Sequence, residues 1–284
     1  MDKIQGRTAV ITGAARGIGL ATARALRARG ATVIIGDRDI RALETALAEL
    51  SPAGGVTGYL LDVTDRESFA AFIVRAKADG GGQIDILINN AGVMPVGSFV
   101  DQSQQAIRSC LEVNCYGVLN GCQLILPDMI ARGSGHIINI ASMAGIMAVP
   151  GQVVYAGTKY AVIGFTTAMA DEVAPHGVDI TAVLPPFTRT DLIAGTKSTG
   201  VGRAVGPDVV AAAIVAAIDK PRTHVAIPRA ARFIGPFVAS LGPRGRRWIN
   251  KRTRADRIFL DDMDQDARRI YEQRAETSIG LDES

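Results

Sequence analysis

The chain has 284 residues, of which 48% are hydrophobic and 21% are charged, so it can bury a large core and is not globally disordered. Its formal net charge of +3 is only mildly basic and gives no reason to expect nucleic acid as a partner. The sequence contains no run of about 18 apolar residues, and therefore predicts no membrane-spanning helix.

Three cysteines, Cys110, Cys115 and Cys122, fall within one short window. Their odd number and irregular spacing do not suit a disulfide framework, and no histidine cluster accompanies them to suggest zinc. We therefore expect buried thiols in a reducing compartment and no bound metal. The N-terminal residues lead directly into a predicted strand without a signal peptide, which predicts a cytoplasmic location.

The first third of the chain alternates between short β-branched runs and amphipathic runs of helical length. Strands are predicted at 8–12, 31–36, 56–61 and 84–88, and helices at 20–29, 40–50 and 65–78. Alternation of this kind predicts right-handed βαβ crossovers and a parallel sheet with helices on both faces. We expect a Rossmann-type, doubly wound α/β fold with seven parallel strands.

The remaining elements continue the alternation. The sequence predicts a long helix at 104–132, interrupted or bent near Gly117 and Gly121. It then predicts a strand at 136–140, a helix at 154–174, a strand at 178–184, a helix at 207–218 and a strand at 224–227. The segment 191–207 has several glycines and no clear pattern, and we interpret it as mobile.

The turn after the first strand has the features of a dinucleotide-binding loop. Gly13, Gly17 and Gly19 lie between that strand and the next helix with the spacing Gly-x-x-x-Gly-x-Gly. Glycines at these positions permit a tight turn and let the backbone approach a pyrophosphate, which the helix N-terminus attracts.

An acidic residue ends the second strand. Asp37 lies about 20 residues past the glycine turn, where a carboxylate suits hydrogen bonds to the adenosine ribose and repels a 2′-phosphate. Arg16 and Arg38 could instead attract that phosphate. We give Asp37 more weight because it should contact the hydroxyl directly, and we expect NAD rather than NADP.

Other chemically active residues also fall at strand ends. Gly13, Asp37, Asp62, Asn89 and Ser142 all follow predicted strands. Ligands of parallel α/β sheets bind at the carboxyl ends of the strands, so these residues predict one common ligand edge.

Tyr155 and Lys159 stand four residues apart on a predicted helix and therefore share one face. An ammonium group lowers the pKa of a neighbouring phenol, which lets a tyrosine exchange protons nearer neutral pH. Ser142 follows a strand, and its hydroxyl meets Tyr155 only if the intervening loop folds back. Alone, this short pattern also fits an exposed helix pair, but the surrounding elements favour a catalytic site.

Taken together, these motifs resemble the short-chain dehydrogenase/reductase family. The resemblance covers roughly residues 5–228 and implies one doubly wound domain that transfers hydride between a nicotinamide and a carbonyl or alcohol carbon. It rests on motifs that occur in the family's order, namely Thr12-Gly13-x-x-x-Gly17-x-Gly19, Asp62, Asn89-Asn90-Ala91-Gly92, Asn114, Ser142, Tyr155 and Lys159.

The resemblance implies a role for each matching catalytic residue. Tyr155 would be the general acid/base, Lys159 would lower the pKa of Tyr155 and hold the nicotinamide ribose, and Ser142 would bind the substrate oxygen. Asn114 would position a water that links Lys159 to solvent. An inactive dinucleotide-binding scaffold or sensor is the alternative, because a fold alone does not prove a function. The complete set of Asn114, Ser142, Tyr155 and Lys159 favours the enzyme.

The resemblance also implies the contacts with the cofactor, which follow the glycine turn and the strand ends. The expected residues are Gly13, Arg16, Gly17, Ile18, Gly19, Asp37, Arg38, Asp62, Val63, Asn90, Ala91, Gly92, Tyr155, Lys159, Pro185, Thr188 and Thr190. Pro185-Pro186 departs from the Pro-Gly that the family commonly has after the sixth strand. The missing glycine is expected to stiffen that loop and to change its approach to the nicotinamide.

Apolar side chains follow the strands that end near the expected nicotinamide. We predict substrate contacts from Met94, Met143, Phe187 and Leu192, with Val93, Met147 and Val149 as further candidates. As a set they favour a hydrophobic secondary alcohol or its ketone, although ordinary loop packing explains any single one equally well.

Residues 229–284 extend beyond the predicted catalytic domain at 1–228. Nine lysines and arginines lie between 229 and 257 against one acidic residue, Asp256, and apolar residues such as Trp248 alternate with them. We favour a helical extension that packs on the body or at a subunit interface, and a peripheral membrane contact through 229–257 is the alternative. The final stretch, 260–284, is predicted as a helix with a frayed acidic end. Small residues along the 154–174 helix predict a homodimer or homotetramer.

Overall fold

A computed structural model of the protein describes residues 2–50, 54–196, 204–233, 237–238, 240–261, 263–264, 266–269 and 271. Its strands are β1 Thr8–Thr12, β2 Thr32–Asp37, β3 Val56–Leu60, β4 Ile86–Asn89, β5 Gly135–Ile140, β6 Val178–Leu184 and β7 His224–Ala226. They form one parallel sheet in the order β3-β2-β1-β4-β5-β6-β7. The predicted seven-stranded Rossmann-type sheet is confirmed.

Helices cover both faces of this sheet. They are α1 Gly17–Ala28, α2 Ile40–Leu50, α3 Arg66–Asp79, α4 Gln104–Leu111, α5 Gly117–Arg132, α6 Val153–Val173, α7 Pro207–Asp219 and α8 Pro243–Thr253. One core cluster packs α3, α5 and α6 on the sheet, and a second packs α1, α2 and α7 on the opposite face. Strands enclosed on both faces need continuous apolar runs, which is why β1 is buried along its whole length.

The helix predicted over 104–132 is interrupted directly before Gly117. A π-helical turn, Glu112–Tyr116, separates α4 from α5 and carries Asn114. Gly117 and Gly121, which predicted the interruption, also allow close packing. A Cβ on Gly117 would lie 2.7 Å from Val63 Cγ2, and one on Gly121 would lie 2.3 Å from Asn89 Oδ1.

Two further segments are described in part. In 191–207 a short helical turn forms at Asp191–Ile193 and Val205 bridges to Thr188, whereas 197–203 lies outside the described residues, and the mobility of the segment stays a prediction. In 260–284 the structure describes 260–261, 263–264, 266–269 and Tyr271, of which 266–269 and Tyr271 are helical as predicted, and 272–284 lies outside the described residues.

The described residues carry two further observations. The three cysteines are buried and unbonded, and burial raises the pKa of each thiol. Within the described ranges, none of the helices combines the length and the hydrophobicity that a bilayer crossing requires.

Candidate active site

The backbone of the glycine turn lies against the loop that follows β4. Gly13 has a φ of +61°, and a Cβ there would lie 2.7 Å from the Ala91 Cα. A Cβ on Gly19 would lie 2.6 Å from the Gly13 carbonyl oxygen and 2.7 Å from the Asn90 Nδ2. Only glycine fits such approaches. The Ala14 and Ala15 amides are bonded to Gly36 and Asp37, whereas the start of α1 has no side-chain cap and can face a ligand.

Hydrogen bonds between the ends of β1 and β4 fix the two neighbouring loops. Thr12 Oγ1 accepts from the backbone amides of Asn90, at 3.0 Å, and Ala91, at 3.1 Å. Asn90 Nδ2 donates to the carbonyl oxygens of Thr12 and Gly13, at 3.0 and 2.8 Å. Asn90, a predicted cofactor contact, therefore also holds the glycine turn.

The carboxylate of Asp37 lies at the end of β2, beside the glycine turn. Its oxygens accept from the Ala15 amide at 2.9 Å and from the Asp39 amide at 3.1 Å. Both arginines that could compete with Asp37 have acidic neighbours: Arg16 lies 2.5 Å from Asp39 and 3.6 Å from Asp191.

Arg38 forms the far wall of this end of the cleft. Its Nη1 lies 3.5 Å from an Asp62 carboxylate oxygen, and burial lowers the pKa of the guanidinium while Asp62 and Asp37 raise it. Its Nε and Nη2 are buried and have no hydrogen-bond partner in the part of the chain that the structure describes. Buried donors of this kind are usually satisfied, which indicates a planar or polar ligand group at this position.

Helix α6 brings Tyr155 and Lys159 onto its buried face, which packs against β5 and β6 and the turn after β5. Lys159 Nζ donates to the Ile140 carbonyl at 2.8 Å and lies 5.7 Å from the centroid of the Tyr155 ring. Burial raises the pKa of Tyr155, and a hydrogen bond with the Ser142 hydroxyl opposes that rise, so the loop between Ser142 and Tyr155 does fold back as the arrangement requires.

Burial dominates the electrostatics of this pair. It raises the pKa of Tyr155, whose side chain also has the thiol of Cys110 and the hydroxyl of Tyr271 nearby. It lowers the pKa of Lys159 to about 8, against the opposing effects of Cys110 and Cys115. Uncompensated charge is therefore costly here, and a phenolate on Tyr155 needs the Lys159 ammonium close by.

Asn114 is fully buried in the π-helical turn. Its Oδ1 accepts from the Val93 amide at 2.9 Å, and its Nδ2 donates to the Val93 carbonyl at 2.9 Å and to Thr158 Oγ1 at 3.0 Å. The side chain therefore fixes the loop after β4 against α6, one residue before Lys159. The water that Asn114 was predicted to position stays a prediction.

The loop after β6 closes the end of the cleft that holds Ser142 and Tyr155. The Pro185 carbonyl accepts from the Met143 amide at 2.9 Å, and Thr188 Oγ1 donates to the Pro186 carbonyl at 2.9 Å. These bonds fix the loop after β6 against the turn that carries Ser142.

Thr190 reaches back to the start of the cleft. A Cβ on Gly17 would lie 3.0 Å from the Thr190 Cγ2, so the loop after β6 touches the glycine turn. Two loops that are far apart in sequence thus meet over one cleft.

The structure brings the predicted site residues into one cavity of about 1160 Å³. The cavity extends from Gly13, Arg16 and Asp37 to Ser142, Tyr155 and Lys159. It includes all four predicted substrate residues and all three further candidates: Met94, Met143, Phe187, Leu192, Val93, Met147 and Val149. Two predicted site residues do not line it: Gly19 packs beneath the turn, and Asn114 is buried against the backbone of Val93.

Sequence reasoning missed the part of the lining that comes from the C-terminal extension. Its residues in the cavity wall are Ala231, Phe237, Val238, Ile249, Thr253, Ile258 and Tyr271. The only sequence signal was the apolar residues interleaved with the basic ones, which do not indicate where in the fold they pack.

Aromatic packing and backbone pairing hold the extension at the cavity. Phe259 is fully buried, with its ring centroid 5.8 Å from that of Phe187. The Asp264 amide donates to the Gly195 carbonyl at 2.8 Å, beside a bridge between Thr196 and Met263.

Arg268 is the most deeply buried charged side chain in the described part of the extension, with 2% exposure. Its guanidinium donates to the carbonyls of Met94 and of Leu192, the latter at 3.1 Å, and stacks over the Tyr271 ring at 4.4 Å. The Tyr271 hydroxyl accepts from the Met94 amide at 3.3 Å. One arginine thus joins the loops after β4 and β6 to the extension.

The composition of the site also bears on metal binding. Among the residues that the structure describes, no group of three or more His, Cys, Asp or Glu side chains could hold a metal ion.

Comparison with known proteins identifies this architecture. Residues 7–200 match the family model described as short chain dehydrogenase. The oxidoreductase UcpA of Escherichia coli K12 is 42% identical over 194 residues, which cover 68% of this chain and 73% of UcpA. The 3-oxoacyl-[acyl-carrier-protein] reductase FabG of Thermotoga maritima is 37% identical over 191 residues, 67% of this chain and 77% of FabG.

Solved structures agree. A short chain dehydrogenase/reductase from Burkholderia phymatum, in complex with NAD, superposes with a TM-score of 0.77 at 25% identity, covering 84% of this chain and 95% of that one. A 3-ketoacyl-(acyl-carrier-protein) reductase from Brucella melitensis, complexed with NADH, gives 0.71 at 27% identity, covering 79% and 97%. The chain belongs to the short-chain dehydrogenase/reductase family, and it is an oxidoreductase with a nicotinamide dinucleotide as cofactor.

Proposed function

We propose that the protein interconverts a hydrophobic secondary alcohol and its ketone by hydride transfer, with NAD as the preferred cofactor and Tyr155 as general acid/base. The observation that carries this proposal is the convergence of Ser142 and Lys159 on Tyr155 in one cavity with the glycine turn. The apolar side chains around that point support a hydrophobic substrate.

The residues at the other end of the cavity fit NAD. The start of α1 at Gly17 has no side-chain cap and lines the cavity, and a helix N-terminus of this kind binds a pyrophosphate. Arg38 has two buried donors without protein partners in the described chain, in the position expected for the adenosine. Asn90, Ala91 and Gly92 lie between this end and Lys159, where the central part of the cofactor would be held.

When bound, the nicotinamide supplies or accepts the hydride. In the direction of reduction, Tyr155 donates its hydroxyl proton to the substrate oxygen, and Ser142 donates a hydrogen bond to the same oxygen. The Lys159 ammonium stabilises the phenolate that remains. In the direction of oxidation, Tyr155 takes the proton back.

The preference for NAD rests on the charges around Asp37. The Asp37 carboxylate lies at the end of β2 beside the turn, and a 2′-phosphate there would meet its negative charge. Arg16 is engaged by Asp39 and Asp191, and one Arg38 nitrogen lies 3.5 Å from Asp62, so these carboxylates weaken the attraction of both guanidinium groups for the phosphate.

Exchange of the tyrosine tests the reaction. Tyr155→Phe removes the proton donor while keeping the ring, so kcat should fall by about 10²–10⁴-fold with the Kd for NADH unchanged. Tyr160→Phe on the same helix, where the tyrosine is 48% exposed, is the matched control. Retained turnover in Tyr155→Phe would remove Tyr155 from the mechanism, and tight NADH binding without turnover of any ketone would favour a scaffold.

The cofactor preference has its own test. Asp37→Ala should raise kcat/KM for NADPH relative to NADH by at least about tenfold, because it removes one negative charge from the phosphate position. Asp208→Ala, at the exposed start of α7, is the control. An unchanged ratio, or a wild type that already prefers NADPH, would overturn the preference for NAD.

We also propose that 1–228 forms the catalytic domain and that 229–284 is an extension packed on it, as the contacts of Phe259 and Arg268 support.

A stripe of exposed residues on α6, containing Val153, Gly157 and Tyr160, supports a homodimer or homotetramer. Light scattering should show a dimer or tetramer. Gly157→Arg should reduce the mass of that oligomer, because a Cβ on Gly157 meets nothing within its own chain and a long side chain there would occupy the space of a second subunit.

A peripheral membrane contact is the second candidate for α8. The helix exposes 67% of Trp248 and carries five lysines and arginines, while Ile249 lines the cavity. An exposed Trp248 indole surrounded by lysines and arginines can bind the surface of an anionic bilayer. Such a contact would bring the protein close to lipophilic substrates. Sedimentation with phosphatidylserine vesicles tests this contact, and absence of binding at low salt contradicts it.

A further inference from the structure

A second cavity lies beside the candidate active site, with a volume of about 860 Å³. Val93, Met94 and Tyr271 line both cavities, so one layer of residues separates them. The proposed reaction takes place entirely on the inner side of this wall and makes no use of the outer cavity. Its volume is in the range that holds a small organic group.

The wall is built from the loop after β4 and from the extension. The Met94 amide donates to the Tyr271 hydroxyl at 3.3 Å, and the Met94 carbonyl accepts from Arg268. These contacts join side chains and a loop rather than two regular elements. The Met94 and Tyr271 side chains therefore lie between the two cavities, and a substrate that occupies both must displace at least one of them.

One residue in the lining of the outer cavity, Gln102, has an unsatisfied polar side chain that a ligand reaches when this side chain turns toward the cavity. Both polar atoms of its carboxamide are buried, and neither has a hydrogen-bond partner in the described chain. A carboxamide offers one acceptor oxygen and two donor hydrogens, and burying all of them unpaired is unfavourable. A ligand group that both donates and accepts would satisfy it.

The charged side chains around Gln102 limit which ligand groups can bind in the outer cavity. Asp101 and Asp261 line the cavity together with Arg268 and Arg269, so the formal charges of the lining balance. Arg268 is committed to backbone carbonyls, and Arg269 lies beside Asp266. Among the described lining residues, no excess positive charge is left to hold a phosphate or carboxylate, so the group that fits is neutral.

We infer that the outer cavity is a second substrate subsite, which binds the far end of an elongated alcohol or ketone through a neutral hydroxyl or carboxamide on Gln102. This inference rests on the proposed function, since the near end of the same molecule carries the carbonyl that reaches Tyr155. It assigns the substrate a long apolar body with one neutral polar end.

Paired substrates test this assignment. The probes are linear methyl ketones of increasing chain length, each as a methyl-terminated and a hydroxyl-terminated compound, with cyclohexanone as a short reference. Beyond one chain length, the hydroxyl-terminated member of each pair should have a kcat/KM about tenfold higher, as expected for a hydrogen bond to a buried partner. Gln102→Leu should abolish that advantage and leave cyclohexanone turnover unchanged.

Gln104→Leu, two residues further along the chain at an exposed position, is the matched control and should behave as the wild type. Equal kcat/KM within every pair, or an advantage that survives in Gln102→Leu, would overturn the second subsite while cyclohexanone turnover still supports the proposed reaction. Absence of turnover for every ketone, cyclohexanone included, would overturn the proposed reaction and the subsite with it.

Discussion

At the nucleotide end of the cleft the backbone itself forms the binding surface, whereas at the substrate end the surface is made of side chains from distant segments. Around Gly13 and Gly19, main-chain atoms approach so closely that a single methyl group does not fit. Around Tyr271, in contrast, a loop, an extension and one buried arginine meet through individual hydrogen bonds.

This difference determines how strongly each binding surface depends on the amino-acid sequence. A surface made of backbone depends on sequence only through the absence of side chains, so it presents nearly the same groups in every chain that can form it. A surface made of side chains changes with each substitution. We therefore expect changes at the two ends to affect cofactor binding and substrate binding separately.

The largest expected effect would break the nucleotide end. Gly19→Val places a branched side chain where a Cβ alone would lie 2.6 Å from the Gly13 carbonyl oxygen. Overpacking of about 2–3 kcal/mol corresponds to a Kd for NADH that rises roughly a hundredfold, measured by fluorescence titration. Gly157→Ala is the control, because its Cβ would meet open space on a helix and should leave binding and stability intact or slightly improved.

A change at the substrate end of the cleft should have an effect of intermediate size, and it should affect substrate binding without affecting cofactor binding. Arg268→Ala removes the donor that joins Met94 and Leu192 to the extension, so KM for a hydrophobic ketone should rise about tenfold. The Kd for NADH and the kcat at saturating ketone should change little. Arg269→Ala, whose side chain is exposed beside Asp266, is the neighbouring control. A loss of NADH binding in Arg268→Ala would show that the two ends are not independent.

The smallest effect on activity is expected for a residue that lies away from both ends of the cleft. His136 lies at the start of β5, at the opposite edge of the sheet, where burial lowers its pKa from 6.5 to about 4 and its Nε2 lies 2.8 Å from Thr181 Oγ1. Between these two pKa values the unfolded chain binds more protons than the folded one. The free energy of unfolding should therefore fall by about 3 kcal/mol as pH decreases from 6.5 to 4.

His136→Gln should remove that part of the pH dependence in urea unfolding while activity at pH 7 stays within about twofold of the wild type. Identical pH profiles for the two proteins would contradict the assignment to His136.

The two ends also differ in how far the sequence predicts them. The glycine turn, Asp37 and the pair of Tyr155 and Lys159 are local patterns, so their elements and their strand-end positions could be predicted. The parallel sheet could also be predicted, because runs of β-branched residues alternate with runs of helical length along the chain.

The substrate end could not be predicted in the same way. Phe259 packs on Phe187, and Arg268 binds carbonyls that lie more than seventy residues away in the chain. No periodicity encodes such contacts. Gly117 and Gly121 did indicate an interruption of the long helix, but its π-helical form at Glu112–Tyr116 and the packing of the two glycines against Val63 and Asn89 could not be predicted.

The bonds between Thr12 and Asn90 also govern when the protein can first hold its nucleotide. The two residues are neighbours in the folded sheet but 78 positions apart in sequence. Closing a loop of that size costs chain entropy before any contact repays it, so this pairing is slow compared with local helix formation. During synthesis, a chain that has not yet extended past Asn90 carries the glycine turn without the loop that supports it. Nucleotide binding is therefore a direct report that the centre of the sheet has closed, and bound nucleotide in turn stabilises the closed sheet.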